Sequence, residues 1–157
     1  MTSNTHSHKR PADVPTFLYG TTYYPEHWDA ETRELDGERM AEAGFNCVRM
    51  AEFAWDRMEP EEGTYQFDLF DRTIAKLGDR GISTILGTPT ATPPRWLTFA
   101  HPEVLRVNAD GVRMQHGSRQ HVCPSSDLFR LYSRKITRAM AEHFAENPYV
   151  IGWQTDN

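Results

Sequence analysis

The sequence predicts an α/β protein in which strands and helices alternate around a parallel β-sheet. Four short apolar runs, rich in residues that favour strands, are separated by segments with helical periodicity. Most of these runs are continuously apolar, which is typical of parallel strands covered on both faces. Because strands that alternate with helices form right-handed β-α-β units, we predict the order β-α-β-α-β-α-β.

Breaker residues define the predicted strands, which lie in FLYGTTYY (17–24), FNCVRMAEF (45–53), GISTILGTP (81–89) and YVIGWQTDN (149–157). The segments that precede the strands are short, whereas those that follow them are long and carry Trp, Pro, Glu, His and Arg. Ligands of parallel α/β folds bind at the carboxyl ends of the strands. We therefore expect a functional site in YYPEHW, AEFAWDRMEPEEG, TPTATPPRW and the stretch 101–124.

Three helices are predicted between the strands. The first covers about 29–43, with Asp29 as a candidate N-cap and Gly44 at the C′ position. The second begins near Asp68, and the third covers about 126–145. Apolar residues recur at helical spacing on one face of the last two helices: Phe70, Ile74 and Leu77 in the second, and Leu128, Tyr132, Ile136, Ala139 and His143 in the third.

Two architectures fit this order: a small open sheet, or half of a (β/α)₈ barrel. A nucleotide-binding open sheet would need a glycine-rich turn after its first strand, but YYPEHW contains no glycine. Since full barrels run to about 250 residues, we predict the N-terminal half of a (β/α)₈ barrel. Residues 16–157 would form this half, and residues 1–15 would be a disordered tail.

The composition limits the classes of protein. The sequence is 38% hydrophobic and 25% charged, which suits a soluble globular protein, and its net charge of -5 argues against a nucleic-acid partner. No apolar run approaches the roughly 18 residues of a membrane span, and the N-terminus lacks the apolar segment of a signal peptide. Two cysteines cannot build a disulfide framework. We expect a cytoplasmic protein that binds no membrane.

Polar side chains follow the predicted strands. Glu26, Glu52 and the pair Asp156-Asn157 each come after a strand, and a barrel would gather them around one axis. Singly, each fits a helix cap or an ion pair as well. Arg119, in the loop HGSRQHVCP, has five donors that could bind sugar hydroxyls or form a surface salt bridge.

The aromatic and sulfur-containing residues leave alternatives open. Trp28, Trp55 and Trp96 lie in loops after strands, where they could stack on a sugar ring or pack beneath the loops. Cys47 lies within a strand and is predicted to be a buried apolar residue. Cys123 and two nearby histidines have soft-metal character, but no CxxC or HExxH spacing predicts a zinc site.

Six motifs in a fixed order carry a resemblance to a known family. They are YGTTYYPEHW, NCVRMAEFAWDRMEPEEGTYQFDLFD, ILGTPTATPPRWL, HPEVLRVNADG, SRQHVCPSS and GWQTDN, and they cover nearly all of residues 17–157. Together they resemble glycoside hydrolase family 42, the bacterial β-galactosidases. The resemblance implies retaining hydrolysis of terminal β-D-galactosides by a catalytic (β/α)₈ barrel.

The resemblance also assigns roles to residues. It implies that Arg119 binds galactose hydroxyls and that Asn157 contacts the sugar beside the general acid/base. That acid/base glutamate is expected directly after Asn157, and the nucleophilic glutamate after the seventh strand. Retaining enzymes need both carboxyls, so we expect no catalytic residue in this chain and no activity from the 157 residues alone.

The resemblance implies little about cofactors and assembly. Cys123 resembles the first cysteine of a zinc cluster found in some members, whose other cysteines would lie beyond residue 157, so we expect no cofactor. Full-length relatives are expected to form homo-oligomers, as trimers. Two alternatives stay open: a non-catalytic half barrel that binds sugar weakly or docks on a partner chain, and a barrel glycosidase with another sugar preference. Half a barrel also has two unpaired edges, which favour self-association.

Overall fold

The computed structural model describes residue 15, residues 17–117 and residues 119–157. The tail predicted at residues 1–15 therefore lies outside the described residues except for Pro15.

The described residues form one parallel sheet of four strands. Strand β1 is Gly20–Thr22, β2 is Cys47–Met50, β3 is Ser83–Gly87 and β4 is Val150–Gln154. They pair in chain order, β1-β2-β3-β4. A doubly wound open sheet reverses its strand order at a switch point, and this sheet does not. The order is that of the first four strands of a (β/α)₈ barrel, which confirms the predicted fold.

In the part of the chain that the structure describes, five α-helices lie between the strands: α1 (Ala30–Glu42), α2 (Trp55–Met58), α3 (Asp68–Gly78), α4 (Arg95–Ala100) and α5 (Asp127–Phe144). The three predicted helices are α1, α3 and α5. Helices α2 and α4, which lie in the loops after β2 and β3, were not predicted. Their few residues are too short to show the 3.6-residue periodicity on which the prediction depends.

The caps explain where the helices begin and end. The Asp29 side chain accepts a hydrogen bond of 2.7 Å from the Thr32 backbone N–H, which satisfies a free donor in the first turn of α1. The Ser126 side chain does the same for Phe129 at the start of α5. Gly44 follows α1 with a φ of 77°, a left-handed conformation that glycine adopts without strain.

The core lies between the sheet and the helices. Its fully buried side chains include Met50 of β2, Leu86 of β3, Phe70 and Ile74 of α3, and Ile136 and Met140 of α5. Burial of each such side chain stabilises the fold by about 1.5–3 kcal/mol. The side chains predicted for the buried face of α3 are among them, so its predicted periodicity is confirmed. Cys47 is buried in β2, also as predicted.

The two outer strands have one neighbour each within the described part of the chain. Strand β1 pairs with β2 alone, and β4 pairs with β3 alone. Large apolar side chains are exposed at both edges, among them Phe17 and Tyr19 before β1 and Trp153 in β4. No helix among the described residues is long and apolar enough to span a bilayer.

Candidate functional site

The carboxyl ends of the four strands meet at one edge of the sheet, as the parallel order requires. We call this edge the mouth, and it consists of residues 23–28, 51–53, 88–90 and 155–157. Every polar residue that the sequence analysis assigned to a strand end, including Glu26, Glu52 and Asn157, lies there. The structure therefore brings these candidates together.

Glu52 forms a hydrogen-bonded cluster at the base of the mouth. Its side chain is 0% exposed, and its Oε1 accepts hydrogen bonds from Arg49 Nε at 3.1 Å and Arg49 Nη2 at 2.8 Å. The Tyr24 hydroxyl donates to the same oxygen at 3.1 Å. The Arg49 side chain is 32% exposed and neutralises the buried carboxylate. Glu52 Oε2 has no hydrogen-bond partner among the described residues.

Two backbone features place Glu52. Ala51 precedes it in a left-handed conformation, with a φ of 84°, which costs on the order of 1–2 kcal/mol for a residue other than glycine. Gly87, at the end of β3, leaves the space that Glu52 occupies. A Cβ atom at position 87 would lie 2.6 Å from the Glu52 Cβ. The cluster therefore depends on the lack of a side chain at Gly87.

Glu26 is the second carboxyl group buried in the mouth. Neither of its carboxyl oxygens is accessible, and neither has a hydrogen-bond partner among the described residues. Burial raises the pKa of Glu26, and the negative charges of Glu52 and Asp56 raise it further against the opposing effect of His27. The protonated form of Glu26 is therefore favoured relative to a solvent-exposed glutamate.

Asn157 is held by contacts at the end of β4. Its side-chain oxygen accepts a hydrogen bond of 3.4 Å from Gln154 Nε2, and its backbone carbonyl accepts one of 3.0 Å from Gln120 Nε2. Asp156 fixes the same turn, because its N–H donates to Thr88 Oγ1 at 2.8 Å and its Oδ1 accepts from Thr90 Oγ1 at 2.8 Å. The end of β4 is thereby tied to the loop after β3.

Arg119 lies next to Gln120 in the long loop before α5. Its guanidinium carbon is 6.0 Å from the centre of the Phe53 ring, and its side chain lines a pocket of about 320 Å³. The Gln120 N–H donates to the Ala91 carbonyl at 2.8 Å, which anchors this part of the loop. Because Gln120 also contacts Asn157, the structure brings the segments of Arg119 and Asn157 to the same mouth.

Of the three tryptophans in loops after strands, two pack inside the protein and one is exposed. Trp55 is fully buried and donates a hydrogen bond of 2.7 Å to Glu59 Oε2. Trp96 donates one of 2.8 Å to the Glu59 carbonyl and packs edge-on against Tyr132. Packing beneath the loops is thus the correct alternative for both. Trp28 is 52% exposed.

The histidines of this loop have structural partners. His116 Nδ1 lies 2.9 Å from Thr98 Oγ1, and its ring contacts the ring of His121. Loss of solvent around the ring lowers the pKa of His116, and the charges of His121 and Arg95 lower it further. Cys123 is half-buried. The described residues contain no group of three or more His, Cys, Asp or Glu side chains that could hold a metal ion.

Tyr24, Thr88 and Thr90 lie in segments that were expected to hold the site, but no role was predicted for them individually, and Arg49 was not predicted at all. Arg49 carried a usable signal, because it is a charged residue inside the apolar strand CVRM. A charge at that position needs a partner, and the buried Glu52 three residues later provides it. For Tyr24 the sequence indicated the segment YYPEHW but not the contact with Glu52.

Comparison with known proteins identifies the family. The glycoside hydrolase family 42 profile, described as beta-galactosidase, matches residues 22–157. The chain belongs to glycoside hydrolase family 42. This confirms the family predicted from the six motifs.

The most similar members of family 42 include curated β-galactosidases and solved structures. Beta-galactosidase Bga of Halorubrum lacusprofundi is 46% identical over 138 residues, which are 88% of this chain and 20% of that protein. Beta-galactosidase YesZ of Bacillus licheniformis is 48% identical over 139 residues, 88% of this chain and 21% of that protein. The chain thus spans about a fifth of the length of these relatives.

Solved structures of family 42 share the fold. The Halorubrum lacusprofundi β-galactosidase superposes with a TM-score of 0.86 at 45% identity, covering 90% of this chain and 21% of that one. The cold-adapted β-galactosidase of Rahnella sp. R3 gives a TM-score of 0.88 at 37% identity, covering 93% of this chain and 22% of that one. These structures therefore resemble the chain in sequence as well as in fold.

Proposed function

We propose that residues 17–157 supply part of the active site of a retaining β-galactosidase that hydrolyses terminal β-D-galactosides. The observation that carries this proposal is the family 42 match over residues 22–157, together with close similarity to proteins named as β-galactosidases. The mouth is where a (β/α)₈ enzyme binds its substrate. Its polar side chains and exposed arginine suit a polyhydroxylated ligand.

Arg119 and Asn157 are the proposed sugar-binding residues. The guanidinium of Arg119 carries five N–H donors, which suit galactose hydroxyls, and the side chain borders a pocket at the mouth. The Asn157 amide is held by Gln154 and would contact the sugar beside the reacting bond. A hydrogen bond to the 2-hydroxyl that strengthens in the transition state would contribute to catalysis and to binding.

We place both catalytic carboxylates outside residues 1–157. The burial of the mouth glutamates supports this placement. Glu52 is fully enclosed and bonded to Arg49 and Tyr24, and the carboxyl oxygens of Glu26 are inaccessible. A nucleophile must reach the anomeric carbon, and neither group is exposed to do so.

The proposal extends to the oligomeric state, the cellular location and the cofactor content of the protein. The protein would act in the cytoplasm without a cofactor, and as a homo-oligomer of three subunits in common with its family. Analytical ultracentrifugation of the purified protein tests the trimer, and elemental analysis for zinc tests the absence of a metal.

The activity is tested with the polypeptide expressed from the complete gene and with the 157-residue chain alone. We expect the former to hydrolyse 4-nitrophenyl β-D-galactoside and to release β-galactose first, as seen by NMR of the product anomer. The matched α-galactoside and β-glucoside serve as controls. Turnover by the 157 residues alone would show that the catalytic carboxylates lie within them. Absence of turnover by the whole gene product would overturn the enzyme assignment.

A second candidate function, a non-catalytic half barrel that docks on a partner chain, is favoured by the sheet edges. Both β1 and β4 carry unpaired backbone groups beside exposed apolar side chains within the described residues. Sedimentation of the 157-residue chain distinguishes a monomer from an associated form. Titration with galactose by calorimetry then shows whether sugar binding occurs without hydrolysis.

A further inference from the structure

The position of Glu52 is fixed by its backbone, by its packing and by hydrogen bonds. It follows a left-handed Ala51, occupies the space left by Gly87 and accepts three hydrogen bonds at one oxygen. A buried ion pair is weak evidence for stability, because its desolvation offsets its attraction. The local strain at Ala51 adds a further cost of folding. A structural role alone does not account for this arrangement.

The cluster fixes the guanidinium group of Arg49 at the base of the mouth. Arg49 Nε and Nη2 both bind Glu52 Oε1, so the guanidinium plane is defined by two contacts. The contacts of Arg49 with Glu52 use Nε and Nη2, and 32% of the arginine side chain is exposed. Tyr24 is bound to the same oxygen, which aligns its hydroxyl and ring with the arginine. Glu52 itself is too deeply buried to touch a ligand.

We propose that Glu52 is a positioning residue that acts through Arg49 and Tyr24, setting their geometry and the net charge beneath the reacting sugar. This inference rests on the proposed β-galactosidase function. Glu52 balances Arg49, so the pair presents oriented donors to the mouth with little net charge.

Two substitutions of Glu52, made in the polypeptide expressed from the complete gene, distinguish the effect of its charge from the effect of its side-chain length. Glu52→Gln keeps the size of the side chain but removes its charge, which leaves Arg49 uncompensated. An unbalanced positive charge lowers the pKa of nearby carboxyl groups. We therefore expect kcat to fall about 10- to 100-fold with little change in KM, and both limbs of the pH profile to move to lower pH.

Glu52→Asp keeps the charge but shortens the side chain, so it should lower kcat while leaving the pH profile in place. Glu59→Gln is the matched control, because Glu59 is also a buried glutamate with two hydrogen bonds, from Trp55 Nε1 and the Gly63 N–H, but lies outside the mouth. It should lower the thermal midpoint without moving the pH profile. Tyr24→Phe removes only the hydroxyl that donates to Glu52. Its kcat tests the proposal if Glu52→Gln does not fold.

The outcomes are distinguishable. An inactive unsubstituted protein overturns the proposed function and the inference that rests on it. An active protein whose Glu52→Gln variant keeps the original pH profile, or behaves like Glu59→Gln, overturns the positioning role and leaves the proposed function intact. If Glu52→Gln does not fold, unchanged kcat in Tyr24→Phe overturns the inference, whereas a several-fold loss of kcat at unchanged KM supports it.

Discussion

Substitution of Gly87 by alanine tests how the mouth is built. A Cβ atom at this position would lie 2.6 Å from the Glu52 Cβ, 3.1 Å from its Cα and 3.2 Å from its backbone nitrogen. Two of these three atoms belong to the backbone, which cannot rotate away as a flexible side chain does. The strand end and the Ala51-Glu52 turn must therefore separate.

The expected loss of stability is about 1–3 kcal/mol, the usual cost of overpacking a well-packed site. For a domain of this size it corresponds to a fall in the melting temperature of about 2–4 °C for each kcal/mol. Because Glu52 is displaced, its hydrogen bonds with Arg49 and Tyr24 should lengthen as well.

Gly152→Ala is the matched control. Gly152 lies in the neighbouring strand β4, and a Cβ atom there would meet only Ile85 Cγ1, at an ordinary contact distance of 3.8 Å. This variant should be as stable as the parent or more stable by about 0.5 kcal/mol, because alanine loses less entropy on folding. The measurement is the midpoint of urea unfolding for each variant, compared with that of the parent. Equal midpoints for Gly87→Ala and Gly152→Ala would refute the steric reasoning.

Three further substitutions test other parts of the structure. Asp29→Ala removes the N-cap of α1 and should cost about 1 kcal/mol in urea unfolding, whereas Glu31→Ala, in the same turn without a cap bond, should cost less. Glu26→Gln should stabilise the protein at pH 7 and not at pH 4, because burial raises the pKa of Glu26 above its ordinary value of 4.5 and so makes its ionisation in the folded state unfavourable at pH 7; a shift of the unfolding midpoint that is the same at both pH values would contradict this. Arg119→Ala should lower kcat/KM for β-galactosides by about 10-fold or more while leaving the melting temperature unchanged, because the side chain is exposed; an unaltered kcat/KM would remove Arg119 from the proposed sugar site.

The long elements of the fold could be predicted because local and tertiary signals agree. In α1 the capping aspartate and the terminal Gly44 define both ends without reference to the rest of the protein. In α3 the spacing of Phe70, Ile74 and Leu77 is the pattern that burial against the sheet requires. Helices α2 and α4 contain too few residues to produce such a pattern, and contacts with distant residues stabilise them, such as that of Trp96 with Glu59.

The candidate site was predictable in position but not in internal detail. Parallel strand order places Glu26, Glu52 and Asn157 at one edge whatever their contacts are. The roles of Tyr24 and Gly87 depend on pairing between strands far apart in sequence, which no local pattern records. The resemblance to family 42 supplied the candidates Arg119 and Asn157, and the structure adds the contact of Gln120 that connects their segments.

That contact has a thermodynamic consequence. Gln120 joins the Ala91 carbonyl on one side to the Asn157 carbonyl on the other, so the arginine-bearing loop and the last strand share one mechanical link. If a ligand that contacts Arg119 also favours one placement of Asn157, then fixing Asn157 strengthens binding at Arg119 by the same factor. At the proposed sugar site, a substitution at one of these two positions is therefore expected to change the contribution of the other as well.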